Sequence, residues 1–238
     1  MKLDILAFAS HPDDIELSAS GTVMAHIALG KKVGIVDLTQ GELGTRGSAE
    51  IRMKEVKRSS GILGIHTREN LKFRDGFFVN DETHRLKTIE MIRKYQPEIV
   101  LATAISDRHI DHARAAELVH DSCFLSGLRK ISTTHNGKKQ KEWRPKAVYH
   151  YIQDNFIQPD VIVDITPFFK RKLESIKAFS SQFFDPNSKE PQTPISSKEF
   201  LDFIEARNIQ FGRTIGVRYA EGFTVKRSIG VRDLFQLL

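Results

Sequence analysis

Short apolar runs alternate along the chain with longer stretches of helical spacing. Residues 3–10, LDILAFAS, read as a buried strand, and VGIVDL (33–38) reads as a second. Between them, IELSASGTVMAHIALG places Ala19, Val23, Met24 and Ile27 on one helical face and stops at Gly30. The alternation continues with a helix over about 49–62, a short strand near NLKF, a helix over 83–95 ended by Pro97, and the apolar strand EIVLAT at 98–103. The helix ARAAELVHDSCFLSG begins near Asp111. The second half adds strands at 147–152 and 160–166, the amphipathic helix FFKRKLESIKAFSSQF, and a last helix, KEFLDFIEARNIQFG. Ser196 and Glu199 form a capping-box pattern at the start of that last helix. The stretch 184–197, FDPNSKEPQTPISS, is a long loop of the kind that covers sites. The pattern predicts an α/β fold: a Rossmann-like, mainly parallel sheet with helices on both faces. No repeat or linker interrupts it, so a single domain over 1–238 is expected.

Ligands of open parallel sheets bind outside the carboxyl ends of the strands. Three loops leave such ends: SHPDD, TQGELGTRGS and AISDRHIDH. His11 and Asp14 from the first and His112 from the third supply two imidazoles and a carboxylate. Three N/O ligands with a fourth position left for water suit a catalytic zinc ion, and the same donors accept iron, cobalt or manganese. Either motif alone also fits a plain helix start, because Asp stabilises a helix N-terminus. Their joint occurrence at two strand mouths favours the metal. Asp13 adjoins a ligand and can take a proton from water. His109 can stabilise an oxyanion, with Asp111 orienting it. The set suits hydrolysis of an amide or ester. The other six histidines, His26, His66, His84, His120, His135 and His150, lie outside such motifs and read as structural or solvated.

HPDD near the N-terminus with HxDH near the middle resembles the zinc-dependent N-acetylglucosaminyl deacetylases of the PIG-L/LmbE-like family. Within that family the stretches VGIVDLTQGELGTRG, EWRPKAVYHYI, SQFFDPNSKEPQTPISS and YAEGF are most similar to the deacetylases of bacillithiol biosynthesis. The resemblance implies one Zn2+ held by His11, Asp14 and His112, Asp13 as general base and then acid, and His109 with Asp111 as its oxyanion partners. It also implies a substrate contact at Arg52 and N-acetylglucosaminyl-L-malate as the substrate. Deacetylases or amidases of other acetylated sugars, mycothiol-type or chitooligosaccharide, are the alternative. The family further implies a cytoplasmic homo-oligomer, trimer or hexamer. Relatives carry a mobile tyrosine where Phe200 aligns, so a hydroxyl donor is expected to be missing here. A malate conjugate carries two carboxylates, for which Arg46, with Thr45 in the same glycine-rich loop, is the favoured contact, and Arg108 and Arg144 are further candidates.

Composition adjusts this reading little. The 238 residues are 40% hydrophobic and 28% charged, as in an ordinary globular protein. The single cysteine, Cys123, excludes an internal disulfide and a thiolate metal site, which fits a reducing cytoplasm. No run reaches the length of a membrane span, and the N-terminal run is too short for a signal peptide. A net charge of +6 invites a nucleic-acid reading, with a structural metal as its companion. Part of the excess is local: 125–146 holds Arg129, Lys130, Lys138, Lys139, Lys141, Arg144 and Lys146 around the hairpin signal Asn136-Gly137. No nucleic-acid-binding motif surrounds it, so no nucleic-acid partner is expected. No GxGxxG or GxxxxGK[ST] is present, so no nucleotide site is expected either.

Overall fold

The computed structural model describes residues 1–236. Its elements run β1 (Ile5–Ala9), α1 (Asp14–Ser18), α2 (Ser20–Ala28), β2 (Val33–Thr39), α3 (Ala49–Leu63), β3 (Thr67–Phe73), α4 (Glu82–Tyr95) and β4 (Ile99–Ala102). They continue with α5 (Ile110–Leu125), β5 (Thr134–His135), β6 (Lys138–Lys139), β7 (Ala147–Tyr151), β8 (Val161–Asp164), α6 (Phe169–Lys177), α7 (Lys198–Thr214) and β9 (Ala220–Thr224). Seven strands form one sheet in the order β3-β2-β1-β4-β7-β9-β8. The pairs from β3 to β7 are parallel, and β9 runs antiparallel between β7 and β8. The fold is the expected mainly parallel α/β sheet.

The period of two in a strand divides the core. Leu6 and Phe8 of β1 pack with Met91 and Ile92 of α4 and with Leu118 and Val119 of α5. Ile5, Ala7 and Ala9 face the other way, onto Ile15, Val23, Met24 and Leu63 from α1, α2 and α3. Both faces of β1 are therefore covered, which is why its five residues are all apolar and buried. Strand β1 lies between β2 and β4, so the chain direction of the crossovers reverses beside it. That reversal opens a crevice at the carboxyl ends of β1 and β4.

Four local departures from the sequence reading appear, three of them with long-range causes. The first helical stretch breaks at Ala19 (φ −135°, ψ 7°) into α1 and α2. The carboxylate of Glu221 accepts the Gly21 and Thr22 amides (2.9 and 2.7 Å), capping α2 from the far end of the chain. The amphipathic helix stops at Lys177 rather than running to Phe183. The Glu55 carboxylate takes both the amide and the hydroxyl of Ser181 (2.7 and 2.8 Å) and holds that segment in turns. Ser197, not Ser196, caps α7, accepting the Phe200 amide at 3.2 Å, while Ser196 bonds back to Thr193. Strand β9, AEGFT, carries a buried Glu221 that disguises it. Lys172 Nζ stands 2.6 Å from that carboxylate and offsets its burial. The basic Asn136-Gly137 stretch forms the expected hairpin, with both turn residues at positive φ (50° and 74°).

Candidate active site

The loop after β1 starts the site. Asp13 adopts φ 135°, a region that a non-glycine residue occupies at a cost of about 1–3 kcal/mol. The surroundings fix it there: its carbonyl accepts the Leu17 amide at 3.0 Å, and its side chain is buried 3.9 Å from Arg52 Nη1. The same turn points Asp14 inward, where its Oδ2 accepts the His11 backbone amide at 2.9 Å. The loop after β4 supplies His109 as the N-cap of α5 and His112 in its first turn.

The two imidazoles are locked in the same way. His11 Nε2 donates to Asp75 Oδ1 (3.0 Å) and Asp111 Oδ2 (3.3 Å), which leaves Nδ1 turned to Asp14 Oδ2 at 3.8 Å. His112 Nδ1 donates to Asp107 Oδ2 (2.6 Å), which leaves Nε2 at 3.2 Å from Asp14 Oδ1. A carboxylate on one ring nitrogen with the other nitrogen facing a shared carboxylate is how metal-binding histidines are oriented. The donor chemistry therefore fits a divalent ion at His11, Asp14 and His112. Among the described residues, two groups have all their donor atoms within 4.8 Å of one another, and neither contains Asp14: His11–His109–His112 and His11–Asp75–Asp111. In the second group the histidine is already bound to both carboxylates, so it reads as the support of the first nitrogen rather than a separate site.

Electrostatics separates the carboxyls. Burial would lower His11, but hydrogen bonds to Asp111 and Asp75 and the charge of Asp14 push it up to about 10. Burial opposes His112 in the same way, and Asp14 and Asp107 push it up to about 9. Burial would raise Asp14, yet the charge of His112 and of His11 holds it well below the usual carboxylate range. Asp13 goes the other way. Burial raises it to about 7, and the more distant Arg52 offsets this only in part. His109 falls below its ordinary value through burial and the neighbouring His11 and His112. Its Nδ1 accepts the Asp111 amide at 3.3 Å, so a neutral ring carries its proton on Nε2.

These groups floor a cavity of about 620 Å³. Arg52, Thr45 and Arg108 line it, and so does Phe200, whose ring stacks parallel to Phe183 at 6.1 Å. No tyrosine lines the cavity among the described residues. Gly41 (φ 63°) lets the glycine-rich loop close on Arg52: a Cβ there would stand 2.1 Å from Arg52 Nη1. Three of the expected residues stand apart from the cavity lining. Arg46 is buried away from the cavity lining, with Nη2 bound to Ser188 Oγ, because the loop folds its side chain under the 184–197 segment. Arg144 lies against α5, donating to the Phe124 carbonyl (2.8 Å) and stacking on that ring, also outside the lining. The Asp111 carboxylate supports His11, Gly76 N and Arg114; only its backbone amide reaches His109. Sequence reasoning missed Asp75, Asp107 and Gln153, whose Nε2 donates to Asp14 Oδ1 at 2.9 Å. Asp107 sits inside the quoted DRHIDH and was recognisable; the other two come from loops with no motif of their own.

Comparison with known proteins agrees with this fold. The conserved protein TT1542 of Thermus thermophilus superposes with a TM-score of 0.85 at 33% identity, over 97% of this chain and 98% of its own. Diacetylchitobiose deacetylase of Thermococcus kodakarensis is 27% identical over 92% of this chain and 81% of its own. A probable N-acetyl-alpha-D-glucosaminyl L-malate deacetylase 2 of Bacillus anthracis is 26% identical over 75% of this chain and 81% of its own. The family model for GlcNAc-PI de-N-acetylases, PIG-L, matches residues 6–123, the segment that holds both the HPDD and the RHIDH loops. With this fold and these two loops in place, the chain belongs to the PIG-L family of deacetylases.

Proposed function

We propose that the chain, acting as one domain over 1–238, is a metal-dependent hydrolase that removes the acetyl group from an N-acetylglucosaminyl conjugate. N-acetylglucosaminyl-L-malate is the favoured substrate. The observation that carries the reading is the pair of locked imidazoles: His11 Nδ1 and His112 Nε2 both face Asp14, each held by carboxylates on its other nitrogen. A divalent ion bound there, zinc in this reading, supplies Lewis acidity and lowers the pKa of water.

The remaining steps belong to the chain's own groups. Asp13, drawn up to about 7, is matched to neutral pH as a proton acceptor. It takes the proton of the attacking water and returns it to the amine as the carbon–nitrogen bond breaks, giving acetate and a free glucosamine nitrogen. The burial that raises Asp13 also keeps competing water from it. His109, neutral with its proton on Nε2, donates toward the oxygen that gains charge on attack. With phenylalanine at position 200, that imidazole has no tyrosine hydroxyl beside it in the lining. Arg52 and Arg108 present cations to the cavity and support an anionic aglycone.

A second reading rests on the relative from Thermococcus kodakarensis, which is named for diacetylchitobiose. A 620 Å³ cavity also leaves room for a second sugar. Acetate release on protein of measured metal content separates the two. N-acetylglucosaminyl-L-malate, its des-malate analogue and diacetylchitobiose are assayed side by side. Faster turnover of the malate conjugate is expected; faster turnover of chitobiose selects the second reading, and no acetate from any of the three overturns both.

A further inference from the structure

Two cations meet at one backbone oxygen beneath the cavity. Lys172 Nζ and Arg207 Nη2 both donate to the carbonyl of Leu17, near the end of the short helix that carries Asp14, at 2.9 and 2.6 Å. Both side chains are buried, Lys172 fully and Arg207 at 5% exposure. Their charges are treated differently. Lys172 has Glu221 at 2.6 Å as its counter-ion. Among the described residues Arg207 has no carboxylate within ion-pair distance, and Glu221, Asp154 and Asp107 act on it only through their field. Burial draws its guanidinium down to about 10, so it stays charged at neutral pH. A buried guanidinium is ordinarily paired, because an unpaired charge away from water is costly.

Arg207, unlike Lys172, lines the cavity. Its second arm, Nη1, is buried and has no hydrogen-bond partner among the described residues. Two other cavity-lining residues share this condition: Oγ1 of Thr193, in the long loop before α7, and Oε1 of Gln153, after β7. Gln153 is tied through Nε2 to Asp14, so its free oxygen is held beside the site. One cationic donor, one hydroxyl and one acceptor are thus buried without partners, among the described residues, in side chains that line one cavity. An isolated orphan is a packing accident; three of complementary chemistry in the same cavity match a ligand that brings an anion and hydroxyls.

We propose that Arg207 is a specificity-determining residue that takes a carboxylate of the substrate's aglycone on Nη1, with Thr193 and Gln153 receiving hydroxyls beside it. The proposal rests on the deacetylase reading and deepens it by assigning the anion to α7 rather than to the glycine-rich loop. The fork of the guanidinium is the reason for arginine: one arm holds Leu17 and the other remains for the ligand.

The test compares wild type with Arg207→Lys, which keeps the charge and can still reach Leu17 but has no fork. N-acetylglucosaminyl-L-malate and methyl N-acetyl-α-D-glucosaminide are the two probes, each followed by calorimetric binding and by acetate release. Metal content and thermal midpoint verify the fold. The ratio of kcat/KM for the malate conjugate over the methyl glycoside should fall about 10- to 100-fold, mainly through KM, with the same change in the ratio of affinities. An unchanged ratio, whether both rates hold or both fall together, overturns the assignment and leaves Arg207 as a positioning residue for Leu17. Acetate release by the wild type from diacetylchitobiose but from neither glycoside overturns the assignment, and absence of release from all three overturns the deacetylase reading instead. If Arg207→Lys does not fold, the wild type should bind N-acetylglucosaminyl-L-malate about tenfold more tightly than its neutral malamide analogue, and equal affinity for the two is equally decisive.

Discussion

Helix α5 carries a histidine from each of two clusters, and their environments differ sharply. His112, in its first turn, meets Asp14 and Asp107, and His11 nearby meets Asp75 and Asp111. His120, two turns on, stacks on His150 of β7 with ring centres 5.7 Å apart. His150 Nδ1 donates to the Thr103 carbonyl at 3.0 Å, and among the described residues neither ring in this pair bonds a carboxylate. Burial pulls on the histidines of both clusters. In the first, carboxylates override it and raise His11 to about 10 and His112 to about 9. In the second, nothing overrides it, and His150 falls to about 4 and His120 also falls. Residue type and burial alone therefore say little about what a histidine does; the carboxylates within reach decide.

Removing the group that the first cluster surrounds should have the largest effect. Asp13→Ala should lower kcat by about a thousandfold while metal content stays at the wild-type level, measured by acetate release beside elemental analysis. Retained turnover would sink the assigned base. The second cluster should answer only to acid. The folded pKa of His150 lies near 4 against an ordinary 6.5, so between these values the unfolded chain binds the extra proton. Stability then rises with pH across that window and is lost as pH falls through it, by on the order of 3 kcal/mol. Urea unfolding of His150→Phe at pH 4.5 and 7.5 should give a smaller difference than wild type, and equal differences would refute the account.

A subtler change probes the locks themselves. Asp107→Asn and Asp75→Asn should each weaken metal binding about 10- to 100-fold, read by competition with a chelator, because the imidazole loses the partner that fixes its tautomer. A control outside both clusters sets the scale. Ser197→Ala should cost about 1 kcal/mol through loss of the α7 cap, while Ser196→Ala at the expected cap should cost α7 nothing.

Much of the site could be read from the chain because its parts are local. A strand of apolar residues followed at once by HPDD, and another followed by RHIDH, fixes both where the charges stand and that they stand at strand mouths. What could not be read is what those charges touch. Asp75 reaches His11 across 64 positions, Gln153 reaches Asp14 across 139, and Arg207 reaches Leu17 across 190. Arg46 and Arg144 stand outside the cavity lining for the same reason, since a loop arginine's direction is set by what the loop folds against.

The alternation of apolar runs thus determined the α/β class, the parallel core of the sheet and the two loops that meet over it. The tertiary structure alone decided that Asp13 takes a strained turn beside Arg52, and that each imidazole keeps one nitrogen for Asp14. It alone left Arg207 without a counter-ion of its own among the described residues. Periodicity is written in neighbouring residues, whereas charge balance in a buried site depends on groups that only the fold brings within a few ångströms.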